Sequence, residues 1–139
     1  MIFGIGVDLI KVERIARLLE SNPRFFEKVF SATEREYCRN KANPAQSFAV
    51  RFAAKEAFMK ALGTGWGQGI SFKEIQVVND DKGKPDIELS GTTWDYFRGH
   101  DLSRIYLSLS HEKDYAVAYV IVEADYDKSN PVHRETERG

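Results

Sequence analysis

Hydrophobic positions in this chain change their spacing along its length, and the changes mark out its elements. Ile2 to Ile10 is a short run rich in β-branched residues, the pattern of a buried strand. From Lys11 the spacing becomes helical: Val12, Ile15, Ala16 and Leu19 share one face, and Asn22-Pro23 ends the pattern. Ser31-Ala32-Thr33-Glu34 has the form of a capping box and predicts a second helix from Thr33 to about Lys41. A third, longer helix is expected after Asn43-Pro44, running to Leu62 and stopped by Gly63.

Beyond a glycine-rich stretch, Gly63 to Gly69, the period shortens to that of strands. Ile75-Gln76-Val77-Val78 and Asp86-Ile87-Glu88-Leu89 flank Asp80-Asp81-Lys82-Gly83-Lys84-Pro85, a hairpin signal. Thr92 to Gly99 reads as a short helix carrying Trp94, Tyr96 and Phe97. A final hairpin pairs Arg104–Ser110 with Tyr115–Glu123 across His111-Glu112-Lys113-Asp114. Both alternating sets of the last strand are largely apolar, as in a strand central to a sheet or covered on both faces. The predicted class is α+β, a mainly antiparallel sheet packed on a long central helix. Residues 1–123 are expected to form a single domain, and the polar stretch 124–139, with Pro131, a mobile tail.

Composition narrows the function. At 139 residues, 42% hydrophobic and 12% aromatic, the chain suits one domain with a real core. A formal net charge of -1 supplies no overall field toward nucleic acid or an anionic membrane, so an electrostatic partner must meet a local patch. Cys38 is the single cysteine, which excludes an intrachain disulfide and a cysteine-rich zinc site. The opening Met1-Ile2-Phe3-Gly4-Ile5-Gly6-Val7-Asp8 has no basic leader, and Asp8 interrupts its apolar run early. Neither a signal peptide nor a membrane span is expected, and the chain reads as cytoplasmic.

The third helix is the most informative segment. Apolar residues surround nearly all of Phe48 to Leu62, the mark of a buried helix, and only Arg51, Lys55, Glu56 and Lys60 interrupt them. The i,i+4 pair Glu56 and Lys60 has an ordinary explanation, a surface ion pair contributing about 0.2–0.5 kcal/mol. Phenylalanines and alanines crowd around it, however, and a glutamate in such company needs a partner. Asp8, inside an apolar strand, either caps the helix that follows or ligates a hard cation. Asp8 and Glu56 together offer the carboxylate oxygens that magnesium accepts, with water and a substrate phosphate completing an octahedron.

Three further features admit two readings each. His111 shares a strand face with Ile105, Leu107 and Leu109; it either ends that face structurally or donates to a phosphate. Gly63-Thr64-Gly65-Trp66-Gly67-Gln68-Gly69 follows a helix instead of linking a strand to one, so it is neither a dinucleotide fingerprint nor a Walker loop. It either cradles a phosphate through backbone N–H groups or merely ends the helix. Lys11, Arg14 and Leu18 line the first helix beside its apolar face, with Arg17 further round and Arg24 and Lys28 just beyond. Such a strip either solvates a face, diluted by Glu13 and Glu20, or docks an acidic amphipathic helix.

Three segments taken together resemble one family. Gly4-Ile5-Gly6-Val7-Asp8 with Arg14-Ile15 resembles the opening of the holo-acyl-carrier-protein synthases, the small phosphopantetheinyl transferases. Arg51-Phe52-Ala53-Ala54-Lys55-Glu56-Ala57-Phe58-Met59-Lys60-Ala61-Leu62-Gly63-Thr64-Gly65 is similar to that family's central signature. Leu107-Ser108-Leu109-Ser110-His111, followed by Tyr115-Ala116-Val117-Ala118, is similar to its closing hairpin. The resemblance spans about residues 2 to 123 in the right order. It implies an α+β fold assembling as a homotrimer with active sites between subunits, and transfer of phosphopantetheine from coenzyme A to a serine of acyl carrier protein. It assigns Asp8 and Glu56 to magnesium and Lys60 to the coenzyme A pyrophosphate. Arg51 and His111 fall near the nucleotide phosphates, Gly63 and Gly65 beside the cofactor, and Arg14, Arg24 and Lys28 against the carrier's acidic helix.

Two competing functions remain distinguishable by experiment. A non-catalytic module holding coenzyme A or a carrier would be indifferent to Asp8→Ala. A metal-dependent phosphohydrolase would need no carrier.

Overall fold

The computed structural model describes residues 1–64 and 67–126. The chain runs β1 (Ile2–Lys11), α1 (Val12–Ser21), α2 (Pro23–Val29), α3 (Ala32–Arg39) and α4 (Pro44–Leu62). It continues through a 3-10 turn (Phe72–Glu74), β2 (Ile75–Asn79), β3 (Pro85–Leu89), α5 (Gly91–Gly99), β4 (Leu102–His111) and β5 (Tyr115–Ala124). The class is the expected one, α+β with antiparallel pairing around a long helix. The strands nevertheless divide into a three-stranded sheet, ordered β1-β5-β4, and a separate β2-β3 hairpin.

Local signals explain most of the helix boundaries. The Ser31 side chain accepts from the Glu34 N–H while the Glu34 carboxylate accepts from the Ser31 N–H, so the capping box predicted for α3 is formed in full. Helix α4 begins with Asn43 capping the Gln46 N–H and Pro44 in its first turn. It ends at Gly63, whose φ of 73° is left-handed and suits a residue without Cβ. Helix α2 was not predicted. It is only seven residues long, and beyond Pro23 it carries no capping side chain to betray it. Phe25 and Phe26 nevertheless pack it firmly, at 5.6 Å from Phe52 and 4.8 Å from Phe48 between ring centres.

α4 is buried on almost every side, as its sequence predicted. The three-stranded sheet covers one side through Gly4, Gly6, Ile10, Ala116, Ala118, Val120 and Val122, while α1, α2 and α3 and the β2-β3 hairpin cover the rest. β5 is central to its sheet, but α4 covers only one of its faces; Tyr119 on the other is 55% exposed. The expectation of a tail from residue 124 falls mostly on 127–139, outside the described residues. Within them, β5 continues through Ala124, and Asp125 donates its N–H to the Asp101 carbonyl at 2.9 Å.

The tightest contact lies between β1 and α4. A Cβ on Gly4 would run into the Ala61 carbonyl oxygen, and one on Gly6 into that of Ala57. Both obstacles are helix backbone, which cannot swing aside as a flexible side chain would. Gly6→Ala is therefore predicted to cost about 2–4 kcal/mol, measured by urea unfolding with the transition slope unchanged. A loss below about 0.5 kcal/mol would mean that β1 can retreat from the helix freely.

Candidate active site

Close seating of β1 on α4 brings three ionisable side chains into one cleft. Asp8 points toward α4, in the same face-row as Gly4, Gly6 and Ile10. Glu56 and Lys60 stand one turn apart on the helix opposite. Lys60 Nζ donates to Asp8 Oδ1 at 3.0 Å and to the Val7 carbonyl at 3.0 Å. Leu9, Ile10, Arg14 and Phe52 complete the lining. The i,i+4 ion pair between Glu56 and Lys60 considered from the sequence is not made; the Lys60 ammonium turns across to β1 instead. Asp8 offers it a carboxylate only 17% exposed together with a main-chain oxygen, a better-shielded site than the helix surface.

That choice leaves Glu56 under-compensated. Burial raises its pKa above the ordinary carboxylate value, the Asp8 charge raises it further, and Lys60 and Arg14 pull it back only in part. Among the described residues no group of three or more His, Cys, Asp or Glu side chains gathers for a metal. The cleft therefore offers two carboxylates, with the remaining positions open to water and ligand oxygens. That donor set fits magnesium, which keeps several waters and takes one or two protein carboxylates.

Arg51 and His111 line a different cleft, of about 450 Å³, together with Tyr37, Lys41, Gln46, Ser47, Asn79 and Pro85. Arg51 is almost fully buried; its guanidinium donates to Asn79 Oδ1 at 2.7 Å and to Ser47 Oγ at 3.2 Å. Tyr37 lies against both cations, its ring centre 4.3 Å from Arg51 Cζ and 4.3 Å from Lys41 Nζ. Arg51 Nε is buried and has no hydrogen-bond partner among the described residues. This cleft has no lining residue in common with the Asp8 cleft, though a shallow third one shares Leu9 with the first and His111 with the second.

Of the other expected residues, Gly63, Arg24 and Lys28 line neither cleft. Gly63 caps α4 with no heavy atom within 4 Å of a Cβ built on it, and Gly65 lies outside the described residues. Arg24 and Lys28 are exposed on α2, while Arg14 on α1 is exposed and also lines the Asp8 cleft. Leu18, aligned with Lys11 and Arg14 beside the apolar face of α1, is half-buried against the core. Sequence reasoning missed Tyr37, Lys41, Ser47 and Asn79. Tyr37 and Lys41 sit four apart and carry a helical-spacing signal, but nothing in the sequence tied them to Arg51.

Known proteins resemble this chain in both sequence and fold. The family described as the 4'-phosphopantetheinyl transferase superfamily matches residues 4–120. The holo-[acyl-carrier-protein] synthase of Geobacter metallireducens is 48% identical over 124 residues, covering 88% of this chain and 98% of that protein. The crystal structure of holo-[acyl-carrier-protein] synthase from Neisseria meningitidis superposes with a TM-score of 0.83 at 35% identity, covering 88% of this chain and 99% of that one. The Helicobacter pylori holo-[acyl-carrier-protein] synthase, solved in complex with coenzyme A, superposes with a TM-score of 0.74 at 34% identity, over 86% and 99% of the two chains.

The electrostatics of the Asp8 cleft can be tested on metal-free protein. Asp8→Asn removes a like charge and releases Lys60, so the Glu56 pKa is predicted to fall toward the ordinary carboxylate range. A side-chain carboxyl NMR titration reads it directly. An unchanged value would assign the whole upward shift to burial.

Proposed function

The chain belongs to the 4'-phosphopantetheinyl transferase superfamily and, within it, to the holo-[acyl-carrier-protein] synthases; from that premise we propose a magnesium-dependent transfer supporting fatty acid biosynthesis. The 4'-phosphopantetheine of coenzyme A passes to a serine of apo acyl carrier protein, giving the holo carrier and adenosine 3',5'-bisphosphate. The observation carrying this reading is the cleft in which Asp8, Glu56 and Lys60 converge. The Helicobacter pylori relative bound to coenzyme A supports that molecule as the donor.

The carrier serine oxygen forms a bond to the phosphorus bearing the pantetheine arm, and the bond from that phosphorus to the bridging oxygen breaks. Asp8 and Glu56 would hold magnesium, which when bound supplies neutralisation of charge on the phosphoryl oxygens. Lys60 has three ammonium protons; Asp8 and the Val7 carbonyl take two, leaving one for the pyrophosphate. Glu56 is our candidate base for the serine proton, directly or through a bound water, although a carboxylate that also ligates magnesium is a poorer base. Arg51 and His111 are assigned to the nucleotide phosphates of coenzyme A, and Gly63 and Gly65 to a place beside the cofactor. The cations Arg51 and Lys41, which line one cleft with His111, support an anion there.

We assign the working form to a homotrimer. The uncovered face of the β1-β5-β4 sheet exposes Ile5, Val7, Leu9, Tyr106, Tyr115 and Tyr119, a contiguous apolar surface of the kind that marks an interface. The Asp8 and Arg51 clefts share no lining residue within one chain, which suits an active site completed by a neighbour. No helix among the described residues is long and apolar enough to cross a membrane. The reaction is assigned to the cytoplasm, where the carrier docks its acidic helix on Arg14, Arg24 and Lys28.

Intact mass of an apo acyl carrier protein, after incubation with coenzyme A and magnesium, tests the reaction. A gain of one phosphopantetheine is expected with the wild type and none with Asp8→Ala or without metal. No gain with any carrier, but retained coenzyme A binding, would favour a binding module. Consumption of coenzyme A without a carrier would favour a hydrolase. Docking has its own readout. Arg14→Glu is predicted to raise the carrier KM about tenfold at low salt, with the effect shrinking as salt screens it. An unchanged KM at low salt would remove this strip from the mechanism.

A further inference from the structure

Lys55 precedes Glu56 directly in α4, yet it lines neither cleft and its side chain is 0% exposed. Its ammonium makes three hydrogen bonds: to Glu34 Oε1 at 2.7 Å, to the Val29 carbonyl at 2.9 Å and to the Phe72 carbonyl at 2.8 Å. All its protons are thereby used. Glu34, itself 2% exposed, accepts the Ser31 N–H at 3.0 Å and the Val77 N–H at 3.1 Å. One ion pair thus ties α4 to the end of α2, the start of α3, the 3-10 turn and β2.

Stability is a poor explanation for such a pair. Desolvating both charges offsets most of their attraction, and a well-packed apolar replacement is often as stable. Directionality is what an apolar pair would lack. Phe25 on Phe52 and Phe26 on Phe48 hold α2 against α4 at a fixed separation, but dispersion contacts tolerate sliding. A hydrogen bond from an ammonium to the last carbonyl of a helix does not, because it weakens steeply with distance and angle.

We propose that Lys55 and Glu34 are positioning residues that set the carrier-docking face of α2 relative to Glu56. Val29, whose carbonyl Lys55 holds, is the last residue of α2, and Arg24 and Lys28 stand on the exposed side of that helix. The bond therefore links the surface that receives an acidic partner helix to the turn of α4 that carries Glu56. The inference deepens the docking reading above and rests on it.

Steady-state kinetics with the full chain, varying apo carrier and coenzyme A separately, tests it. The neutral double variant Glu34→Gln/Lys55→Met is expected to raise the carrier KM roughly tenfold, with kcat and the coenzyme A KM within about twofold of wild type. Glu34→Asp keeps the charge but draws the carboxylate back by one methylene, and a carrier-selective rise of roughly threefold is expected. It decides the question should the double variant not fold by circular dichroism. Combining either with Arg24→Glu should give a less-than-additive effect on the carrier KM, because a displaced α2 has already lost the Arg24 contact. A purely structural role would give additive effects and disturb both substrates alike. A carrier KM within twofold of wild type in a folded variant overturns the proposal, with about twofold taken as experimental scatter. If Arg24→Glu alone leaves the carrier KM unchanged, the docking reading fails and takes this proposal with it. If Arg24→Glu raises it and the network variants do not, only the positioning role falls.

Discussion

The approach of β1 to α4 is the constraint from which the site follows. A helix can lie this close to a strand only where neither side presents bulk, and here glycines meet alanines: Gly4 beneath Ala61 and Gly6 beneath Ala57. The contact removes the layer of side chains that normally separates a helix from a sheet. Lys60 consequently reaches the β1 backbone as well as the Asp8 carboxylate, and Glu56 comes within electrostatic range of the same group. A single added methyl at Gly6 would press on helix backbone, so stability and site geometry share one cause.

Four charged residues on one buried helix meet four different fates, and the differences sort structure from chemistry. Lys55 is desolvated completely, which lowers its pKa, but Glu34 answers its charge and two carbonyls use its remaining protons. Arg51 is fixed by Asn79 and Ser47, and its buried Nε is left without a partner among the described residues. Lys60 is anchored at its base while its side chain stays 55% exposed. Glu56 alone is left in the company of another carboxylate, displaced from its ordinary pKa toward the protonated form. A charge that folding has not neutralised is the one available to a metal or a proton.

The outward face of the three-stranded sheet poses the converse situation, apolar groups that folding has not covered. Ile5, Leu9 and Tyr119 are 61%, 64% and 55% exposed on adjacent strands. One face of the sheet is satisfied by α4 within the chain; the other accounts for the apolar residues at both alternations of β5. Helix α2 adds a third kind of surface, basic outside and phenylalanine-lined inside, pinned at its end by the Lys55 ammonium.

Much of this was legible in the sequence wherever the signal is local. The span of α4 follows from Asn43-Pro44 and Gly63, the capping box from Ser31 and Glu34, and the two hairpins from alternation and turn residues. These depend on backbone groups a few residues apart, whose chemistry is written beside them. Asp8, Glu56 and Lys60 were likewise conspicuous as charges among apolar neighbours. The sequence did not reveal how they would pair. Helical period makes Glu56 the neighbour of Lys60, which instead reaches Asp8 across 52 residues of chain. Glu34 looked complete as a cap and proved also to hold Lys55, 21 residues away. The short helix α2 escaped notice because its order comes from phenylalanine packing on α4. The sequence by itself determined the elements and the candidates for chemistry, since period and capping act along the chain. The partner each charge takes was decided only by tertiary structure, because it depends on how deeply one element beds into another, and no spacing along the chain encodes that depth.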